Sequence, residues 1–243
     1  MTSSDLWDAE TARLYDAACA DIATSEHLAP MLDLLSELAG DGAALELAIG
    51  TGRVAIPLHA RGVPVTGIEL SEPMVAELTR KLPHGIPVVI GDMATMRVEG
   101  EFALVYLVFN TIGNLYTQAE QVACFANAAA HLRPGGHFVI EVGVPGLRSL
   151  PPGALGVPFD VSEEHVGIDT YDPVTQRAVS HHLARQADGS YERATHNFRY
   201  VWPTELDLMA QLAGMTLQAR YADWDRSPFT AESTSHVSVW QRP

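Results

Sequence analysis

A doubly wound α/β fold, a mostly parallel sheet with helices on both faces, is what this sequence predicts, and three features predict it. Short apolar runs alternate with helix-length segments from residue 43 to residue 144, the pattern of repeated βαβ units. A glycine pair, Gly50 and Gly52, closes the first of these runs and opens a helix, as at a ligand-binding strand-to-helix turn. After Pro145 the alternation gives way to runs separated by Asp172-Pro173 and Asp188-Gly189, which are turn signals of an antiparallel sheet.

Taken in order, Glu10–Ala23 and Ala29–Leu38 carry apolar residues at helical spacing (Leu28, Met31, Leu32, Leu35 and Leu38 in the second), so both read as helices. Gly40-Asp41-Gly42 breaks the second. Ala43–Ile49 is a short apolar run ending in glycine, as a buried strand would. Arg53–Arg61 is a helix closed by Gly62, Val63–Glu69 a strand and Glu72–Leu82 a helix. Pro87–Ile90 and the strongly apolar Phe102–Phe109 are further strands. Gln118–Leu132 is a long helix stopped by Arg133-Pro134-Gly135-Gly136, and His137–Val144 is the fifth strand.

Pro151-Pro152-Gly153 marks the break to an antiparallel insert with runs at His165–Tyr171, Gln176–Arg185 and Tyr191–Trp202. Thr204–Ala213 reads as a helix with Thr204 as N-cap and Asp207 at N3, close to a capping box. Met215–Trp224 and His236–Gln241 are two closing strands. The whole of 1–243 is expected to be one domain: a helical N-terminal cap over 1–42, a cofactor-binding half over 43–150, the insert over 151–203, and a closing helix and two strands over 204–243.

Composition narrows the function. The chain has 243 residues, 47% of them hydrophobic and 19% charged, enough apolar content for a sizeable core. Fifteen basic against thirty acidic residues give a formal charge of −15, which repels phosphate backbones and anionic membranes. No nucleic-acid and no membrane partner is expected. Cys19 and Cys124 make no disulfide framework and lack the close spacing of a zinc site; they read as buried thiols, and no metal is expected. Met1–Asp8 has neither a basic nor an apolar signal-peptide segment. Apolar runs such as Phe102–Phe109 fall far short of the ~20 residues of a membrane span. The expectation is a soluble cytoplasmic protein, monomer or homodimer.

The loop Leu45-Glu-Leu-Ala-Ile-Gly-Thr-Gly52 permits a tight turn and a close approach of ligand to backbone. With Ala55 it also fits the G-x-G-x-x-A dinucleotide pattern. Three acids sharpen it. Glu46 lies within the strand, where a carboxylate is costly unless it meets a cation or several donors; a pyrophosphate would give it no purpose. Glu69, 17 residues after Gly52 and at the end of the second strand, suits bidentate bonding to a ribose diol. Asp92 of Gly91-Asp92-Met93 can accept from an exocyclic amine while the next backbone N–H meets a ring nitrogen. Together they would read an adenosine carrying a charged, non-phosphate tail.

At these residues the sequence resembles the class I S-adenosylmethionine-dependent methyltransferases. The resemblance is carried by Glu46-Leu-Ala-Ile-Gly50-Thr-Gly52, Gly67-Ile-Glu69-Leu-Ser-Glu-Pro-Met74, Gly91-Asp92-Met93 and Leu132-Arg-Pro-Gly135-Gly136-His-Phe-Val-Ile-Glu141, and it covers residues 43–145. It implies a Rossmann-like sheet of seven strands, the last one antiparallel, with S-adenosyl-L-methionine as cofactor. Within the family the chain is similar to small-molecule enzymes with an antiparallel insert after strand five, a group that includes sugar N-methyltransferases and glycine/sarcosine-type enzymes. Carried over by motif, Glu69 is the ribose ligand and Asp92 with Met93 the adenine clamp. Gly50 and Gly52 lie under the methionine portion, Ala48 is a further cofactor-binding residue, Glu46 is near the methionine amino group, directly or through water, and Leu70 and Met74 pad ribose and adenine. Tyr15 resembles a tyrosine that caps the cofactor, and reads equally as a helix residue packed on the sheet.

The acceptor is expected beyond the fourth strand, which ends at Phe109-Asn110-Thr111. No Asn/Asp-Pro-Pro-aromatic motif of nucleic-acid or glutamine methylation stands there. Asn110 and Asn114 either orient cofactor or acceptor or serve as turn residues. A general base is needed only for a nucleophile that arrives protonated. Its candidates are His165, His181, His182 and His196, and adjacent strand residues face oppositely, so one of His181 and His182 at most faces a pocket. Tyr200 and Trp202 form either a cation-binding wall or insert core, and Glu141 ends strand five within reach of the acceptor. The expected activity is methyl transfer to N or O of a small-molecule acceptor. A peptide or protein acceptor, and an NAD-dependent oxidoreductase using the same loop, are the alternatives.

Overall fold

A parallel sheet covered on both faces needs strands that are apolar all round. β1 (Ala44–Leu47) and β4 (Phe102–Leu107) are buried at every position. In the computed structural model, which describes residues 7–83 and 85–243, these two lie side by side at the centre of the main sheet. β2 (Val65–Glu69) and β3 (Val88–Ile90) extend it on one side. On the other side come β5 (Leu132–Gly143) and then β11 (Ser235–Gln241) and β10 (Thr216–Tyr221). The order is β10-β11-β5-β4-β1-β2-β3. β1 to β5 pair parallel, and β11 is antiparallel to both β5 and β10, so it is the one reversed strand of seven. The strand order turns between β1 and β4, which places a crevice at their carboxyl ends.

Successive residues of β4 go to opposite cores, as the strand period of two demands. Val105 and Leu107 join Phe125, Phe138 and Trp240 beneath α5 (Gln118–His131) and α6 (Pro203–Leu212). Leu104 and Tyr106 join Leu35, Leu58 and Val139 beneath α2 (Ser25–Ala39) and α3 (Ala55–Ala60). α1 (Ala9–Ala18), capped by the Asp8 carboxylate, and α4 (Glu72–Lys81), capped by Ser71, complete the set. The second sheet is a meander of β6 (Gly156–Val161), β7 (His165–Asp172), β8 (Arg177–Arg185) and β9 (Tyr191–Arg199), all antiparallel.

Several expected boundaries move for local reasons. The helix over Glu10–Ala23 is two pieces, because Cys19 leaves helical geometry and a 3₁₀ turn over Ala20–Ala23 follows. α2 starts earlier than Ala29, where the Thr24 side chain accepts from the His27 amide. The Arg133–Gly136 break lies inside β5: the amide of Gly135 bonds to Arg242, and the register shifts between Phe102 and Leu104 absorb the extra residues. β6 escapes the sequence pattern because Pro158 interrupts it, yet β6 is an edge strand, where proline is tolerated. α6 begins at Pro203 with Trp202 as N-cap and no side-chain cap bond, so Thr204 is not the cap. Asp207 instead accepts from Arg220 and from the Trp240 indole.

Cys19 and Cys124 are buried and free. Among the described residues no helix is long and apolar enough to cross a membrane. The signal-peptide reading of Met1–Asp8 falls largely on the first six residues, outside those described.

Candidate active site

The loop after β1 turns by placing Ala48, Gly50 and Gly52 in the left-handed region, at φ 54°, 57° and 81°. At Gly52 a side chain would be both strained and crowded, with a Cβ 3.0 Å from Ile56 and 3.1 Å from Leu78. The turn aims the Gly50 amide at Glu69, whose Oε2 accepts it at 2.8 Å while Oε1 accepts the Ser71 amide at 2.8 Å. Burial pushes the Glu69 carboxyl up, and these backbone donors pull it back. Each oxygen keeps a second acceptor position, so the carboxylate is fixed in place and still open to a diol. The Ser71 hydroxyl donates to the Trp7 carbonyl, which seats the N-terminal segment at the same place. α1 is latched to the loop through Asp16, which accepts from Thr51 at 2.6 Å and from Lys81, the sequence's only lysine, at 2.7 Å.

Glu46 is buried and accepts from the Tyr106 hydroxyl at 2.9 Å. Burial pushes its carboxyl up to about 8, against the pull of Tyr106 and of the Arg53 charge. It faces a small recess of about 40 Å³ shared with Tyr15, Arg53 and Thr111. Burial outweighs the Arg53 charge, and the recess opens beside the glycine loop.

Beyond β4 the backbone is strained in two consecutive non-glycine residues, Phe109 (φ 59°) and Asn110 (φ 61°). Each such residue costs roughly 1–2 kcal/mol and persists where neighbours hold it, often at functional sites. The holders are visible: Glu141 Oε2 accepts the Phe109 amide at 2.9 Å, and Asn110 Oδ1 accepts the Gly143 amide at 2.6 Å. The Arg53 guanidinium lies 4.8 Å from the Phe109 ring centroid.

These pieces line one end of a cavity of about 630 Å³, and the inner face of the insert lines the other. Tyr15, Ala48, Gly50, Glu69, Met74, Phe109, Asn110 and Asn114 form the first end. Phe159, Asp169, Tyr171, Ser180, His182, His196, Phe198 and Tyr200 form the second. Asp169 accepts from the Ser180 and Tyr171 hydroxyls. Burial, and then the Asp169 charge, push the Tyr171 phenol up. Burial pulls both His182 and His196 down.

Some expected site residues stand elsewhere. His181 faces the opposite side of its strand, bonded to Thr170 at 3.1 Å and near Arg193. Glu141 is spent holding the Phe109 amide and does not line the cavity. Trp202 packs edge-on against Tyr200, with centroids 6.5 Å apart, because β9 ends at Arg199 and the chain turns there into α6. Leu70 is exposed and outside the lining. The Gly91 amide bonds to the Glu69 carbonyl, which sets Asp92 and Met93 beside Glu69 but not in the cavity. Asp92 is exposed and accepts from the Ala94 amide, while the Met93 side chain joins the core.

Sequence reasoning missed Trp7, Phe109, Phe159, Asp169, Tyr171, Ser180 and Phe198. For Asp169 and Tyr171 a signal existed: they alternate on one strand with His165 and Gly167, the inward register once one member is assigned. Among the described residues no group of three or more His, Cys, Asp or Glu side chains could hold a metal ion.

Residues 44–136 match a family model described as a methyltransferase domain. The structure of the CcbJ methyltransferase from Streptomyces caelestis is similar to this one with a TM-score of 0.78 and 35% identity, over 88% of each chain. S-adenosylmethionine-bound CalS10 from Micromonospora echinaspora, an amino pentose methyltransferase involved in calicheamicin biosynthesis, gives 0.73 and 25% identity over 95% of this chain and 97% of that one. A cypemycin N-terminal methyltransferase from a Streptomyces species is 25% identical over 100% of both chains.

Proposed function

We propose that this chain, which belongs to the class I S-adenosylmethionine-dependent methyltransferases, methylates a nitrogen, or secondarily an oxygen, of a small-molecule acceptor held under the β insert. The observation that carries this reading is the single cavity joining Glu69 and the glycine loop to the polar inner face of the insert. When bound, S-adenosylmethionine supplies a methyl group on a positively charged sulfur, which an acceptor lone pair displaces in line as the C–S pair leaves with sulfur. Residues 43–150 hold that donor and residues 151–203 roof the acceptor.

In this reading Glu69 takes the ribose diol, and Asp92 with the Met93 amide takes the adenine at the open edge of the site. Met74 pads the rings, and Ala48, Gly50 and Gly52 let the methionine portion approach the backbone. The raised Glu46 carboxyl takes the donor's ammonium, and Tyr15 closes the site from α1. Asn110 and Asn114 orient the reacting groups at the junction. Much of the rate comes from alignment and exclusion of water, to which Phe159, Phe198 and Tyr200 contribute apolar walls. Nitrogen is favoured because the relatives named above include an amino pentose enzyme and a peptide N-terminal enzyme. A peptide α-amine is the second reading, favoured by the match of the peptide N-terminal enzyme over the full length of both chains. The buried free thiols fit a cytoplasmic setting, and the charge of −15 disfavours nucleic acid.

A screen of aminosugars, amino acids, small alcohols and short peptides for conversion of S-adenosylmethionine to S-adenosylhomocysteine tests the proposal. Turnover on small amines is expected. Turnover on peptides alone selects the second reading, and turnover on none, with cofactor bound, overturns both.

A further inference from the structure

We propose that Asp160 and His165 lock His182 in the tautomer whose lone pair sits on Nε2, and that this nitrogen takes the proton of the acceptor's nucleophile. For the acceptor this rests on the function proposed above; for the tautomer it rests on the insert alone.

Three adjacent strands supply the three residues. Asp160 Oδ2 on β6 lies 2.6 Å from Nδ1 of His165 on β7. Nε2 of His165 lies 3.0 Å from Nδ1 of His182 on β8. A carboxylate only accepts, so Nδ1 of His165 carries the proton, and in a neutral imidazole the other nitrogen then accepts. With the His165 ring neutral, the bond to His182 is donated by the His182 Nδ1–H, and the lone pair is left on Nε2. His182 lines the cavity, whereas Asp160 and His165 stand behind it.

The groups facing His182 are His165 and Asp169 from β7, His196 from β9, and the Phe159 ring of β6 with its centroid 5.4 Å away. His181 lies beside it on β8, turned to the other face. Burial and the neighbouring histidines outweigh the attraction of Asp169, so the ring is held below its ordinary range and neutral. His196 also lines the cavity, but among the described residues its ring has no hydrogen-bonded partner and packs edge-on against Trp7 at 6.4 Å. Its tautomer is not fixed, which is why the assignment goes to His182.

An alkyl ammonium must lose a proton before it can attack. Its N–H bond breaks, the proton passes to Nε2 of His182, and the pair stays on nitrogen. That pair forms the new bond to the methyl carbon as the C–S pair leaves with sulfur, and the imidazolium returns its proton to water. His182 is the catalytic residue of the set; His165 and Asp160 are positioning residues.

Long-range ¹H–¹⁵N correlation spectra of the full chain saturated with S-adenosylhomocysteine read each ring nitrogen directly. His182 is expected to show a protonated Nδ1 and a bare Nε2. His165→Phe keeps a ring there and removes the acceptor, so His182 is expected to revert to the Nε2–H form preferred by a free histidine side chain, with S-adenosylhomocysteine affinity within about twofold. A wild-type His182 protonated on Nε2, or one unchanged by His165→Phe, overturns the lock. With an amine that turns over in the screen, His182→Gln should lower kcat about 100-fold near neutral pH. That loss should shrink as pH approaches the amine's own pKa; a loss independent of pH overturns the base assignment. Failure to bind S-adenosylhomocysteine would instead break the methyltransferase reading, and the tautomer is then decided on the free protein by the same spectra.

Discussion

The carboxyl edge of the main sheet and the inner face of the insert close on one cavity but are built on different principles. The first is made of backbone: five residues with φ between 54° and 81° turn amides and carbonyls into place, and strand-end carboxylates pin them. The second is made of side chains standing on a regular antiparallel meander. A turn that depends on left-handed residues tolerates little change. A strand face can exchange Ser180 or Phe198 for another residue while its ladder of hydrogen bonds stays intact. The difference teaches that the sheet edge is fixed by the fold and the insert face is decided residue by residue; under the proposed function these are the donor side and the acceptor side.

A buried ion pair fastens the two halves where β9 meets α6, and breaking it should have the largest effect. Arg199 at the end of β9 pairs with Glu205 of α6 at 2.8 Å and donates to Gln176 at 2.8 Å and to Gln121 of α5. Its side chain is 3% exposed. Arg199→Ala takes the cation from the Glu205 carboxylate, which keeps only the Gln118 and Gln176 amides at 2.9 Å each, and should cost about 3–5 kcal/mol of stability in urea denaturation. Well below the melting transition, S-adenosylhomocysteine affinity should remain within about twofold. An equal collapse of cofactor affinity would mean that the halves are not separately built.

A second substitution probes the donor side alone. Glu69→Ala removes a charge-assisted bidentate contact and the holder of the Gly50 amide, so calorimetric titration should show S-adenosylhomocysteine weakened by about 2 kcal/mol, roughly 30-fold. Phe159→Ala on the insert should leave that affinity within about twofold and raise the acceptor KM instead. The reverse pattern would exchange the roles of the two regions.

The same contrast decides what could be read in advance. β1, β2 and β4 announce themselves because strands buried on both faces are largely apolar runs; Glu69, Gly50 and Gly52 sit where such runs end, and Glu46 stands out as the acid inside one. Strain at Phe109 was hidden: Asn110 suits the left-handed region, but nothing marks the phenylalanine before it, and the Glu141 and Gly143 that hold the pair are distant in sequence. On the insert the alternation of two identifies faces but not which face is inward. It therefore allowed one of His181 and His182 without choosing, and it passed over Asp169. β6 was invisible because Pro158 argues against a strand unless the strand is known to be an edge.

Proton linkage sharpens the comparison further. In the free protein the Glu46 carboxyl titrates at about 8 rather than 4.5, so it is protonated at pH 6 to 7. A donor ammonium favours the carboxylate, so binding expels that proton and affinity should rise with pH, up to about tenfold per unit between pH 6 and 8, and level off above. The effect on folding has the opposite sense. The folded chain keeps a proton that the unfolded chain loses above 4.5, so this stabilising contribution is complete below 4.5 and lost as pH rises through about 8. Calorimetry in buffers of different ionisation enthalpy should detect proton release on binding, and Glu46→Gln should abolish both the release and the slope. A slope unchanged in Glu46→Gln would move the ammonium site elsewhere.

The smallest expected effect separates the two halves at their helix starts. α5 opens with a complete capping box, in which the Thr117 hydroxyl accepts the Glu120 amide and the Glu120 carboxylate accepts the Thr117 amide at 2.8 Å. α6, which follows the insert, opens at Trp202 and Pro203 with no side-chain cap. There the entry is set by the fixed φ of proline, whose missing N–H is no loss at the first helical position. Thr117→Ala should therefore cost about 1 kcal/mol, and Thr204→Ala should stay within about 0.5 kcal/mol of wild type, both read as shifts in urea midpoint at constant slope. A full kilocalorie lost at Thr204 would mean that it caps after all, so that α6 starts later and Trp202 and Pro203 belong to the insert. Trp202 would then be free to turn toward the acceptor, and the boundary on which the comparison rests would have to be redrawn.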